Sequence, residues 1–87
     1  MDLHSYVGKK VIVYWEDVTS DVAESLNAPT LATGETIGTL ARVGPNYGGT
    51  IQIATVVWQE MSDGRLGVVH IPTGLIAYVE EVNQCAR

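Results

Sequence analysis

The stretch at positions 66–82, LGVVHIPTGLIAYVEEV, constrains the fold more than any other part of the chain. It reads as a strand, a very short corner and a second strand. Pro72 cannot donate to a ladder and Gly74 weakens one, so the first strand stops there. Ile76 then starts the next. In a small barrel such a unit makes a sharp corner, and the upstream chain must supply strands that curl round to meet it.

Those strands are legible. At positions 9–17, Val11, Val13 and Trp15 alternate with Ile12 and Tyr14. Both faces are apolar, which predicts burial on both sides or contact with a neighbouring subunit. Trp15 and Tyr14 read as core and rim packing. Positions 36–43 predict a second strand, with Ile37, Thr39, Ala41 and Val43 on one face and Leu40 on the other. Gly38 within it signals a bend or a close backbone approach. Residues 44–49, Gly-Pro-Asn-Tyr-Gly-Gly, form a turn. Positions 50–60 predict the longest strand, with Ile51, Ile53, Thr55 and Val57 on one face and Ala54, Val56 and Trp58 on the other. So much apolar surface on both faces implies a strong bend or an outer face that meets a partner. Ser62-Asp63-Gly64 predicts a tight hairpin turn, with Asp-Gly supplying positive φ values. Positions 65–71 return antiparallel, and 75–82 close the series.

The remaining segments are short. Asp2 is an N-cap for one or two helical turns over residues 2–7, with Leu3 and Val7 on one face and Gly8 at the end. Residues 18–35 form an irregular insertion, a lid or an edge cover, in which Asp21 and Glu24 have capping-box spacing and Asn27 and Pro29 end a short helix. Residues 83–87 read as a tail. The expected fold is mainly β. It is a small, five-stranded, strongly bent antiparallel barrel with a short N-terminal helix, forming one domain over residues 1–87.

Composition narrows the function. A chain of 87 residues buries only about 60–65% of its unfolded surface, and oligomerisation is a common remedy. Five basic residues face ten acidic ones, for a net charge of −5, so any nucleic-acid binding has to come from a local site. The lone Cys85 excludes an intramolecular disulfide and has no metal-site spacing. Glu16, Asp17, Asp21 and Glu24 lack the glycine-centred pattern of a calcium loop and read as a solvated acidic turn. Gly48-Gly49 lacks the Gly-Lys-Ser/Thr of a phosphate loop. Catalysis needs a nucleophile, a base and an orienting group in reach. Cys85 with His70 is the one imaginable pair, and Cys85 lies in the tail. No enzyme, cofactor or metal is therefore expected. No apolar run approaches the ~18 residues of a membrane span, and the first residues lack a signal-peptide pattern, so a cytoplasmic protein is expected.

In this order of elements the chain resembles the Sm-like proteins, the class of Sm, LSm and Hfq. The match rests on the short N-terminal helix, Val11 and Val13 in the first strand, Gly38-Thr39-Leu40 in the second, and Ile51 and Ile53 in the third. Ile71, Ile76 and Val79 fall at the apolar spacing of the family's second signature. The chain is also similar to a group of small proteins of tailed phages and their bacterial hosts that carries no known function. Trp15-x-Asp17 and Ile71-Pro72 followed by Ile76 carry that likeness. The departures are specific. Where the family has isoleucine, arginine and glycine, this chain has Ile71, Pro72 and Thr73, with Gly74 one place late. The arginine that clasps RNA bases is absent. Small barrels of this outline also occur as SH3-like domains, which do not form rings.

The resemblance implies a homo-oligomeric ring, with one subunit's fourth strand paired to the next subunit's fifth. Leu66, Val68, Val69, Ile71, Leu75, Ile76 and Tyr78 would then lie at the interface. It implies a scaffold or adaptor for a phage or host process. The alternatives are RNA or single-stranded nucleic-acid binding through the pore or loops, and a monomeric SH3-like interaction module. Asn46, Tyr47, His70, Thr73 and Gly74 are the candidate nucleic-acid contacts. Tyr47 sits in the loop that holds a base in RNA-binding relatives, and its other role is packing on its own barrel. His70 reads first as a corner residue hydrogen-bonded to a neighbouring backbone group and second as a base or phosphate contact near a pore. Arg42 and Arg65, with Lys9 and Lys10, are the basic residues available for a patch, and nothing in the sequence puts them on one face.

Overall fold

The computed structural model describes residues 2–17 and 32–82. Five strands, β1 Lys10–Asp17, β2 Ala32–Pro45, β3 Gln52–Glu60, β4 Leu66–Pro72 and β5 Ile76–Glu81, form one antiparallel sheet in the order β4-β3-β2-β1-β5. The mainly β, five-stranded antiparallel class expected from the alternation is the one observed.

The order dictates the shape. β4 and β5 are the two margins of the sheet, yet only the 3-10 turn Thr73–Leu75 joins them. In a flat sheet the margins of five strands lie about 19 Å apart. The step from Pro72 to Ile76 spans about 14 Å at full stretch, and a 3-10 turn is shorter. The sheet therefore bends until its margins approach at this corner. It remains open, because β4 and β5 share no pairing among the described residues.

The concave face holds the core: Val11 and Val13 of β1, Leu40 of β2, Ala54 and Val56 of β3, Ile71 of β4 and Val79 of β5. Every strand contributes, and Leu3, Tyr6, Trp15, Val43, Val69 and Ile76 pack around it. The N-terminal segment is a 3-10 turn, Leu3–Tyr6, and not an α-helix. At three residues per turn, positions i and i+3 share a face. Leu3 and Tyr6 therefore meet the core, while Val7, the expected partner of Leu3, stays exposed. Asp2 caps this turn as expected, accepting from the His4 amide at 3.1 Å. Gly8, at φ +90°, then lets the chain double back and donate to the Leu40 carbonyl at 2.8 Å.

Three irregularities re-aim side chains. The β2–β3 register shifts between Leu40 and Arg42, with Ala41 as the extra residue. Strict alternation puts Val43 with Ile37, Thr39 and Ala41, opposite Leu40. The bulge instead brings Val43 onto the Leu40 side, paired with Ala54, and turns Arg42 outward beside Thr55. A second shift makes Trp58 the extra residue of β3, and a third makes Ala77 that of β5. The two tryptophans take matching roles. Trp15 lies over Gly34 and Trp58 over Gly67, so closely that a Cβ on either glycine would collide with the indole. Trp15 also donates from Nε1 to Thr36 Oγ1 at 3.0 Å.

β2 is longer than predicted. Residues 32–35, assigned to the insertion, pair with Tyr14, Trp15, Glu16 and Asp17. The helix expected around Asp21 and Glu24, and the tail with Cys85, lie outside the described residues. The Ser62-Asp63-Gly64 hairpin forms, but only Gly64 has positive φ. The Gly64 amide donates to the Met61 carbonyl and the Met61 amide to the Arg65 carbonyl, a three-residue loop closed by a left-handed glycine. Asp63 caps it, accepting from the Arg65 amide and from Arg65 Nε at 2.7 Å.

Candidate functional site

On the outer face of β2, β3 and β4, polar side chains line up across three strands. The register lines up Arg42 with Thr55 and Thr55 with His70, a row running across three strands. All three side chains border a groove of about 440 Å³. Ile53 lies beside them, and Asn46 and Tyr47 of the β2–β3 loop close one end.

Local chemistry fixes each wall. Thr55 Oγ1 and His70 Nδ1 are hydrogen-bonded at 2.9 Å, which orients the imidazole. The Arg42 guanidinium folds over Gly44 and donates from Nη1 to the Pro45 carbonyl at 3.3 Å. A side chain on Gly44 would meet that guanidinium, so the glycine makes its resting place. Asn46 is the brace of the loop. Its Oδ1 accepts from the Thr50 amide at 2.9 Å and the Ile51 amide at 3.3 Å, and its Nδ2 donates to Thr50 Oγ1. Tyr47, next to it, is fully exposed at 109%.

The residues expected from sequence thus divide. Asn46, Tyr47 and His70 share one groove. Thr73 borders a separate cleft of about 400 Å³ with Asp2, Leu3, His4 and Gln52. Gly74 is exposed on the corner turn. Tyr47 does not pack on its own barrel, and His70 bonds a side chain where a backbone partner was expected. Thr55 was missed as a site residue, and Arg42 was not assigned to this face. Only the bulge at Ala41 and the strand register reveal them.

The expected interface residues divide as well. Leu66, Val68 and Tyr78 are exposed on the marginal strands, at 49%, 37% and 55%. Val69, Leu75 and Ile76 are half-buried. Ile71 belongs to the chain's own core at 5% exposure, so its side chain is not free to meet another molecule.

At the β1–β5 end of the same outer face, Tyr14 and Tyr78 face each other with ring centroids 5.5 Å apart. The Tyr14 hydroxyl donates to Glu80 Oε1 at 3.0 Å. That bond, with the nearby charges of Glu80 and Glu35, raises the Tyr14 pKa above the usual tyrosine range. A raised value favours the neutral phenol in the fold. The bond is therefore complete below the usual tyrosine range and is lost as pH rises through the elevated value. In an alkaline titration followed by tyrosine ring NMR, Tyr14 should ionise at a higher pH than it does in the Glu80→Gln variant. Coincident curves would rule out the Glu80 bond as the cause.

No group of three or more histidine, cysteine, aspartate or glutamate side chains is placed to hold a metal among the described residues. No helix among them is long and apolar enough to cross a membrane. Compared with protein-family models, curated proteins and solved structures, the chain has no match in any of the three.

Proposed function

We propose that this chain is a non-catalytic, Sm-like subunit that assembles with copies of itself into a closed ring, through β4 of one copy and β5 of the next, and acts as a scaffold or adaptor. The observation that carries the proposal is the pair of marginal strands. Both present a row of backbone donors and acceptors with no strand beside it among the described residues, and both expose large apolar side chains. Such edges invite pairing with another chain unless they are covered.

A second copy fits them. Antiparallel docking, the mode of every pairing in this sheet, sets the start of β4 beside the end of β5. Arg65 then approaches Glu80 and Glu81, an opposite-charge match. Side chains opposed across two strands point to the same face. Val68 and Tyr78 both lie on the outer face, by their pairing with Val57 and Tyr14. Placing Val68 against Tyr78 sets Leu66 against Glu80 and uses nearly the full length of both strands. The contact joins two different surfaces, so it closes into a ring or runs on as a filament according to the angle it sets. A scaffold or adaptor in a phage or host process is the role proposed for such a ring.

Native mass spectrometry over a dilution series tests the reading. A single closed species that resists dilution is expected. A monomer at all concentrations would overturn it and favour an SH3-like module.

A further inference from the structure

We infer that the outer face of β5, β1 and β2 docks a partner protein through a segment that carries arginine beside apolar residues, with a guanidinium laid on Tyr14 between Glu16 and Glu35. The surface goes beyond the ring reading and stands without it, because these three residues lie on strands that have a neighbour on each side.

The register builds this face in rows. Glu80, Ile12 and Ile37 form the first, Tyr78, Tyr14 and Glu35 the second, and Glu16 with Thr33 the third. Side chains opposed across antiparallel strands share a face. Val11 and Val13 turn into the core, so Ile12, Tyr14 and Glu16 and the residues opposite them lie on the outer side. Tyr14, Glu16, Thr33 and Glu35 border a cleft of about 220 Å³. Glu16 and Glu35 are diagonal neighbours across the two strands, a spacing of about 7 Å. A guanidinium carries N–H donors on more than one edge, so a single one serves both carboxylates.

The aromatic floor is already ordered. The Tyr14 hydroxyl donates to Glu80 at 3.0 Å, and its ring packs against Tyr78 at a tilt of 34°. A ring held in this way accepts a cation at little further ordering cost. Guanidinium stacks flat on such a ring, which a compact ammonium does not. Ile12 and Ile37, paired across β1 and β2, supply the apolar neighbour, and Ile37 is 49% exposed.

Charge selects the partner. Residues 11–41 hold five of the ten acidic residues of the chain, Glu16, Asp17, Asp21, Glu24 and Glu35, and by sequence contain no lysine, arginine or histidine. Lys10, opposite Thr39 one row beyond Ile12, bounds this stretch on one side. Such a face attracts a basic segment and speeds its encounter.

The test titrates the whole protein at low salt, by NMR shift perturbation, with a six-residue peptide of alternating arginine and leucine. The same peptide with lysine, and with neutral citrulline, in place of arginine gives the comparison, and arginine amide is the minimal probe. The arginine peptide is expected to bind most tightly, with its largest shifts at Ile12, Tyr14, Glu35 and Ile37. Tyr14→Ala should weaken it by about 2- to 5-fold, the range of an exposed cation–π contact. Glu16→Gln and Glu35→Gln should each weaken it and flatten its salt dependence. Both glutamates are exposed, so an unchanged circular dichroism spectrum certifies the fold of these two variants even where Tyr14→Ala disturbs it. Glu60→Gln, at the end of β3, should leave the affinity unchanged. The proposal is overturned if the lysine peptide or arginine amide binds as tightly as the arginine peptide. It is equally overturned if Glu16→Gln and Glu35→Gln have no more effect than Glu60→Gln.

Discussion

Replacing Leu40 with alanine is expected to lower the unfolding free energy by about 2–5 kcal/mol, the range for a buried leucine reduced to alanine. Leu40 is fully buried and heads the fully buried side chains by volume. It lies on β2, the middle strand of the sheet, within the buried core cluster. Leu40 packs in a cluster with the buried side chains of all four other strands, so its truncation leaves a cavity at their meeting point. Domains are stable by about 5–15 kcal/mol in all, so this one truncation removes a large share. The backbone bonds at Leu40, to Gly8 and Lys9, survive the substitution, which confines the loss to packing. Ile37, three residues earlier and 49% exposed on the outer face, is the control. In urea unfolding at fixed protein concentration, Leu40→Ala should shift the midpoint strongly with little change in slope, and Ile37→Ala should shift it little. Equal shifts would mean that the outer face is covered as deeply as the inner one, and would overturn the assignment of a single concave core.

That contrast between Leu40 and Ile37 also marks what the sequence makes legible. Period-two alternation located all five strands, because a half-buried strand must alternate. In β1 it separated Val11 and Val13, which are buried, from Ile12, which is not fully so. It failed where the chain departs from period two. One extra residue at Ala41 reverses the parity of everything after it in β2, and alternation has no means of seeing an insertion that only the partner strand defines. The N-terminal turn failed for a related reason, since a 3-10 turn and an α-turn share a cap but not a face. The site was half legible. Asn46, Tyr47 and His70 stood out as turn, aromatic and imidazole. Asn46 proved to be the brace of its own loop. Arg42 and Thr55 join His70 only through register across three strands, and register is set by pairing, not by local composition.

If the chain assembles as proposed, replacing Val68 with lysine is expected to convert the ring to monomer while leaving the fold intact. Val68 is 37% exposed on the outer face of a marginal strand, so the lysine side chain has solvent to enter in the isolated subunit. In the assembled pair it would sit against Tyr78 of the adjoining copy and would have to be desolvated there. Charged side chains, lysine above all, are what natural sheets place on edges that must stay unpaired. The effect multiplies around a closed ring, because every interface carries the same substitution. Leu66→Lys should act in the same direction. Tyr47→Ala, on the loop side of β2 and β3 and away from both margins, should leave the mass unchanged. The antiparallel alignment adds a further signature. With Arg65 beside Glu80 and Glu81 across the joint, Arg65→Glu should weaken assembly most at low salt, where repulsion is least screened. Native mass spectra of the four variants decide the matter together. A Val68→Lys protein that remains fully oligomeric would show that β4 is not the joining edge. Dissociation by Val68→Lys and Leu66→Lys but not by Tyr47→Ala would locate the joint on β4, whose only sheet neighbour among the described residues is β3.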